Sequence, residues 1–365
     1  MIINTLYFYL KKTNDNNIKL FILISITFLC LKFYRLQEFG NDFQSILLIF
    51  LIFNLFFIYL KKDKNNEILI KKIILYSTFA TLFKIHGILV NLFLILFIYK
   101  KFNFFKKENL SIYFFVLISY MSTLTTNFIN SGCILYPFKS TCLNIEKVSW
   151  STKENINNVY LEAYNKGYEK KFLNVSNNKV SHEEWLKDFN WFKFHFTSKN
   201  FYEPFLKSIV LFILILFLIL KFINFKIQKI ENINLIFLLI STIVLMIWMI
   251  KIPLMRASGY GYIICTLIFL FFSVIKVSKI NNFKKLKLSL FILVLFPLLF
   301  LNSLRIYKET KRYETNNIFY FLNDYGKNSE KSMYKNLNLV VGHQSVFGKN
   351  YQIESKFNYF CIGQI

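Results

Sequence analysis

The chain has 365 residues, of which 55% are hydrophobic and 19% aromatic, with 45 Phe but only ten Gly and four Pro. Soluble domains hold roughly 45–50% apolar residues, and here apolar runs of near-membrane length recur along most of the chain, which excludes a soluble enzyme with one greasy helix. The net charge of +25 would point to nucleic acid in a soluble protein, but many of the lysines fall in short loops between apolar runs, where they orient a membrane protein; no nucleic-acid partner is expected.

The first apolar run, 2–10, is short and leads into Lys11-Lys12 rather than a small-residue cleavage site, unlike the usual cleavable signal peptide. The apolar runs predict about nine membrane spans, most of them near the ~20 residues that cross a bilayer, at 18–34, 44–60, 68–85, 87–99, 111–129, 205–222, 233–250, 259–275 and 288–304. The fourth is short, and the third and fourth together could instead make one long helix and a re-entrant segment. The expected fold is an all-α polytopic integral membrane protein. Its parts are transmembrane helices over 1–128, an extracytoplasmic loop over 129–204, transmembrane helices over 205–304 and an extracytoplasmic tail over 305–365.

Lysine sets the phase. The rich intervals are 1–19 (Lys11, Lys12, Lys19), 61–72 (Lys61, Lys62, Lys64, Lys71, Lys72), 100–108 (Lys100, Lys101, Lys106, Lys107), 221–231 (Lys221, Lys226, Lys229) and 276–287 (Lys276, Lys279, Lys284, Lys285, Lys287). These are alternate connections, so the N-terminus is expected inside and the C-terminus outside.

The other unusual segments then fall outside. The segment Asn127-Phe-Ile-Asn-Ser131-Gly132-Cys133-Ile-Leu-Tyr136-Pro137 follows an apolar run. Ser131-Gly132 is expected to end the helix, because Gly takes the left-handed conformation a helix C-terminus needs, and Tyr136-Pro137 to force an extended turn. Among the five cysteines there is no C-x-x-C pair, which argues against a zinc or thioredoxin-type site. Cys133 and Cys142 are close enough in sequence to close a small ring across Pro137 in an oxidising compartment; two free thiols are the alternative. Further on, Ser181-His182-Glu183-Glu184 before Trp185-Leu186 reads as a capped helix start. Trp185, Phe189 and Phe192 lie at helical spacing, which reads as a helix on the membrane surface, with a substrate platform as the alternative. In the tail, 336–347 reads as a strand followed by a Gly-His turn.

Two places put charge close to the membrane. Lys84 and His86 stand where the third span meets the fourth, either snorkelling to the surface or facing an anion in an outward cavity. Pro253-Leu-Met-Arg256-Ala-Ser-Gly259-Tyr-Gly261 offers a guanidinium fork beside glycines that allow close approach to a helix N-terminus, an arrangement suited to phosphate, with an interfacial Arg ahead of a glycine-containing helix start as the alternative. No G-x-x-x-x-G-K-[ST], H-E-x-x-H or G-x-S-x-G is present.

Asn127 to Pro137, with Trp150 downstream and Pro253-Leu-Met-Arg256 later, together resemble a group of bacterial polytopic membrane proteins similar to GT-C-type glycosyltransferases, enzymes that use lipid-phosphate-linked sugars. In that group an R-N-x-x-x-S-G-Y-P-L-Y-P stretch precedes a Trp and a P-x-x-R-F-x-x-G follows a later span. Arg35-Leu-Gln-Glu38-Phe-Gly40-Asn-Asp42 is similar to its E-x-G-x-D stretch, and Lys84 falls where the group tends to place a lysine. The likeness spans 33–262.

The resemblance implies a place in the bacterial cytoplasmic membrane and a role in surface-polysaccharide or lipid-linked glycan assembly. Glu38 and Asp42 would supply the catalytic carboxylate, while Arg256, Lys84, Tyr136 and Ser131 would bind lipid phosphate or substrate. A divalent metal is compatible with that chemistry, though no ligand cluster marks one. The group usually carries earlier spans and an acidic D-x-x-x-Y-H loop, which nothing in 1–33 matches. The chain therefore resembles the group's later portion, and a partner subunit supplying the rest is expected for activity. A non-enzymatic export or polymerisation partner, and a scaffold, are the competing readings.

Overall fold

A computed structural model describes residues 2–31, 42–61, 67–99, 109–135, 139–144, 151, 153, 158–166, 181–192, 199–251, 253 and 259–312. Helix dominates. The early helices are α1 (Ile2–Lys12), α2 (Asn16–Leu31), α3 (Asp42–Lys61) and α4 (Glu67–Phe83). A 3-10 segment, Ile85–Leu94, then continues into α5 (Ile95–Tyr99). Next come α6 (Leu110–Ser131), the short α7 (Asn158–Asn165) and α8 (His182–Leu186), and α9 (Lys199–Leu220). The last part is β1 (Ile223–Ile227), α10 (Asn232–Lys251), α11 (Tyr260–Val274), β2 (Ile275–Ile280) and α12 (Phe283–Arg312). The chain divides into two compact units, Met1–Phe291 and Ile292–Ile365; the described part of the second is the later portion of α12. The expected strand at 336–347 lies outside the described residues.

Among the described residues, five helices are long and apolar enough to cross a membrane: Phe43–Lys61, Leu110–Ser131, Glu203–Leu220, Asn232–Lys251 and Phe283–Leu304. Asn16–Leu31, Gly87–Phe97 and Tyr260–Val274 are apolar but shorter. The expected fourth span is the informative one. The backbone breaks at Lys84, which is extended (φ −151°, ψ 134°), and the chain turns back as a hairpin of α4 against the 3-10 segment. A 3-10 helix rises about 2.0 Å per residue against about 1.5 Å for an α-helix, so 85–99 reaches about 28 Å despite its few residues. Asn91 Nδ2 donates to Thr81 Oγ1 at 3.1 Å across this hairpin.

The centre of the bundle is α3. It is apolar all round, and 89% of its membrane-length window is buried, against 0% for α6. Its phenylalanines mesh with those of its neighbours: Phe57 stacks on Phe21 at 4.3 Å, Phe53 meets Phe93 at 4.9 Å and Phe237 at 5.6 Å, and Phe237 stacks on Phe269 at 3.9 Å. Each such pair adds about 0.5–1.5 kcal/mol beyond area burial. Ser119, Thr123, Thr125 and Thr126 of the peripheral α6 donate to carbonyls one turn back, at 2.8, 3.0, 2.8 and 2.9 Å, which leaves these hydroxyls no need of water. On α10, Leu235, Leu239, Ile243, Met246 and Ile250 form an exposed stripe as apolar as its buried face.

Two connections pair where loops were expected. β1 and β2 form an antiparallel two-stranded ribbon, with a bulge between Asn224 and Phe225. Asn16 Nδ2 donates to the Ser278 carbonyl at 3.1 Å, and Asn17 Oδ1 accepts from the Val277 N–H at 2.9 Å, so the start of α2 holds the bulged strand. Nearby, Lys72 Nζ donates to the Tyr9 hydroxyl at 3.4 Å. Contacts thus gather the lysine-rich intervals 1–19, 61–72, 221–231 and 276–287 at one end; 100–108 lies outside the described residues.

Helix direction follows from the same contacts. α2, α4 and α10 lead away from the ribbon end. α3, the 3-10 segment with α5, α9 and α11 lead towards it, as Phe21–Phe57, Tyr59–Phe97 and Phe237–Phe269 record.

Candidate functional site

The segment that carries the sequence motif begins where α6 stops. Gly132 is left-handed (φ 69°) and its N–H donates to the Phe128 carbonyl at 2.8 Å, the expected helix end. A Cβ there would lie 2.8 Å from Ser151 Cα, so both conformation and space ask for glycine. Ser131 Oγ donates to the Asn127 carbonyl at 2.7 Å and accepts from the Cys133 N–H at 3.2 Å. That hydroxyl closes the helix end, a local structural use beside the substrate contact expected of it.

The chain then folds back on itself. Cys133 and Cys142 are joined by a disulfide and face each other as an antiparallel bridge. Ile134 N–H donates to the Thr141 carbonyl at 3.1 Å and Leu143 N–H to the Gly132 carbonyl at 3.0 Å. Thr141 Oγ1 accepts from Leu135 N–H at 3.0 Å, and Ser151 Oγ donates to the Leu143 carbonyl. Tyr136 and Trp150 lie outside the described residues.

A second knot follows in the same loop. The capping box forms as expected: Ser181 Oγ accepts from Glu184 N–H at 3.1 Å, and Glu184 Oε2 accepts from Ser181 N–H at 2.9 Å. The aromatic face of a surface helix does not form. α8 stops at Leu186, and Asp188 (φ 51°) and Phe189 (φ 59°) are both left-handed, which breaks the helical spacing of Trp185, Phe189 and Phe192. Trp185 and Trp191, 2% and 1% exposed, instead make a small core with Ala163, while Phe189 and Phe192 stay exposed. Lys166 covers this core: its Nζ donates to Glu162 Oε1 at 2.6 Å and sits 5.1 Å from the Trp191 ring centroid. Sequence reasoning passed over Lys166; its spacing from Glu162, four residues earlier, was the available signal.

Of the expected charged groups, Lys84 is half-buried at the tip of the α4 hairpin, where its carbonyl accepts from Gly87 N–H at 2.7 Å. Asp42 opens α3, and Tyr260 opens α11 beside Phe28 and Phe50. Helix direction therefore puts Asp42, Lys84 and the start of α11 at the end of the bundle opposite the ribbon. Glu38 and Arg256 lie outside the described residues. The glycines expected to open a phosphate cradle are used otherwise. A Cβ on Gly259 would lie 2.0 Å from Trp248 Cζ2, and one on Gly261 3.1 Å from Ile49 Cγ2, so both positions serve helix packing. Among the described residues no group of three His, Cys, Asp or Glu side chains gathers as a metal site.

The family described as a domain of unknown function, DUF8201, matches residues 1–264. The chain belongs to the DUF8201 family. No curated protein and no solved structure matches it. The DUF8201 match takes in the α6 stop, the disulfide loop, the tryptophan knot and the positions of Glu38, Asp42, Lys84, Ser131, Tyr136 and Arg256, and it ends inside α11.

Proposed function

We propose that this DUF8201 protein is an integral protein of the bacterial cytoplasmic membrane with about nine spans, its N-terminus inside and its C-terminus outside. Helix directions that alternate about a basic end support this reading. So do the reach of the 3-10 segment, the apolar exposed stripe of α10 and the self-bonded hydroxyls of α6. On that frame the protein is GT-C-like and acts on a lipid-phosphate-linked sugar in surface-polysaccharide or glycan assembly. Glu38 or Asp42 is the base towards an acceptor hydroxyl, Arg256 with Lys84 holds the lipid phosphate, and Ser131 and Tyr136 border the substrate. A partner subunit completes the catalytic machinery, with a divalent metal compatible with it.

The observation that carries the reading is the stop of α6 at Ser131-Gly132, locked by the Cys133–Cys142 disulfide. A disulfide belongs outside the cytoplasm, and this loop holds the motif that resembles the glycosyltransferase-like group. Incubating the chain purified together with its partner subunit with a polyprenyl-phosphate sugar and an acceptor tests it, with sugar transfer as the expected result. Binding of the lipid-linked sugar without turnover, with or without the partner, would favour the non-enzymatic export or polymerisation reading.

A further inference from the structure

The β-ribbon has an unusual distribution of charge. Lys226 is the direct cross-strand partner of Lys276, and Asn224 that of Lys279. Like charges placed opposite each other destabilise a strand pair, and a ribbon of two strands is marginal on its own. All three lysines are exposed, and among the described residues no acid pairs with them. Two acids near the ribbon are otherwise placed: Asp15, next to the Asn16 and Asn17 that bond β2, caps α2 through the Asn17 and Ile18 N–H groups, and Glu231, four residues after β1, is exposed ahead of α10. Alternating with these lysines, Ile227 is 80% exposed and Phe225 44% exposed.

We propose that the ribbon is a binding site for the headgroup of an anionic phospholipid. The lysines of one ribbon face take the phosphate, while Phe225 and Ile227, on the other face of β1, rest on the upper acyl region of neighbouring lipid. The choice of a lipid follows from charge complementarity and position. β1 leaves α9 and β2 leaves α11, so in the membrane reading, on which this inference rests, the ribbon lies at headgroup depth. A bound phosphate converts the Lys226–Lys276 repulsion into attraction, which makes the ribbon, and with it the docking of α2 through Asn16 and Asn17, dependent on the lipid.

The test uses the full chain in nanodiscs of phosphatidylcholine, with and without phosphatidylglycerol, reading thermal unfolding and, by native mass spectrometry, retained phosphatidylglycerol. Phosphatidylglycerol should raise the wild-type midpoint, and Lys226→Gln or Lys276→Gln should each weaken its retention on the order of five-fold. Lys276→Glu supplies a cross-strand partner to Lys226. It should fold at least as well as wild type in phosphatidylcholine and lose the phosphatidylglycerol response. Lys207→Gln, in α9 outside the ribbon, should respond like wild type. An absent wild-type response, an undiminished response in Lys276→Glu, or the same shift from inorganic phosphate in phosphatidylcholine would overturn the site. Release of the protein from native membranes by alkaline carbonate, without detergent, would overturn the membrane reading instead.

Discussion

At Gly87 a single added methyl carbon would sit 2.1 Å from the Ala80 carbonyl oxygen, an atom of the backbone that has nowhere to move. Gly87→Ala should therefore pry the α4 hairpin open, strain the Asn91–Thr81 bond and cost about 1–3 kcal/mol as overpacking does. Gly261→Ala, whose methyl meets Ile49 Cγ2 at 3.1 Å, should cost less. Thermal melts of both variants in detergent measure the difference, and equal midpoints would contradict the close approach. Arg256 tests function at the same scale. If its guanidinium holds lipid phosphate, the fork matters as well as the charge, so Arg256→Lys should lose most glycan output and Arg256→Ala slightly more. Normal output from a well-expressed Arg256→Lys would remove Arg256 from the site.

Among the elements, the loop after α6 is the most constrained by chemistry. Reducing Cys133–Cys142, or replacing either cysteine by serine, should release roughly 2–3 kcal/mol of chain constraint. Maleimide should label neither thiol in native membranes without reductant and both after reduction; full labelling at the outset would exclude the bridge. What sequence shows of an element depends on how local its cause is. The α6 stop and the Ser181–Glu184 box were legible because glycine's left-handed freedom and a side chain reaching three residues along are local matters. The kink at Asp188-Phe189 was not, since phenylalanine carries no signal for positive φ and the burial of Trp191 against Ala163 sets the turn. The ribbon was hidden as well. Its strands are separated by the whole of α10 and α11, and the lysines that mark both as connections masked their β character.

For the whole molecule, alternation makes a sharp prediction. A reporter active only outside the cytoplasm should be active when fused after Lys199 or at Ile365 and silent after Lys64, Lys106 or Lys279. The same result from fusions after Lys199 and Lys279 would break the phase. At this scale the sequence was informative about fold class and helix positions, because apolar length is a property of the chain itself. It was less so about the site, because Asp42, Lys84 and the start of α11 reach one end of the bundle only through helix directions that long-range contacts fix.

Those directions also bear on how the bundle moves. Strand pairing ties the connection between α9 and α10 to the connection between α11 and α12, and the first turn of α2 is fastened to the same ribbon. Near the far end the Tyr260 hydroxyl donates to the Phe28 carbonyl at 3.2 Å and clasps α11 to α2. The assembly is bound along the ribbon like the spine of a book, with this clasp near the opposite edge. Rocking that alternately opens both faces would tear the ribbon seam, whereas fanning the pages at the Asp42 and Lys84 end would leave the seam intact and part the Tyr260–Phe28 bond. In the proposed membrane reading, a long lipid-linked molecule would slip in sideways between parted helices, from the leaflet on that side.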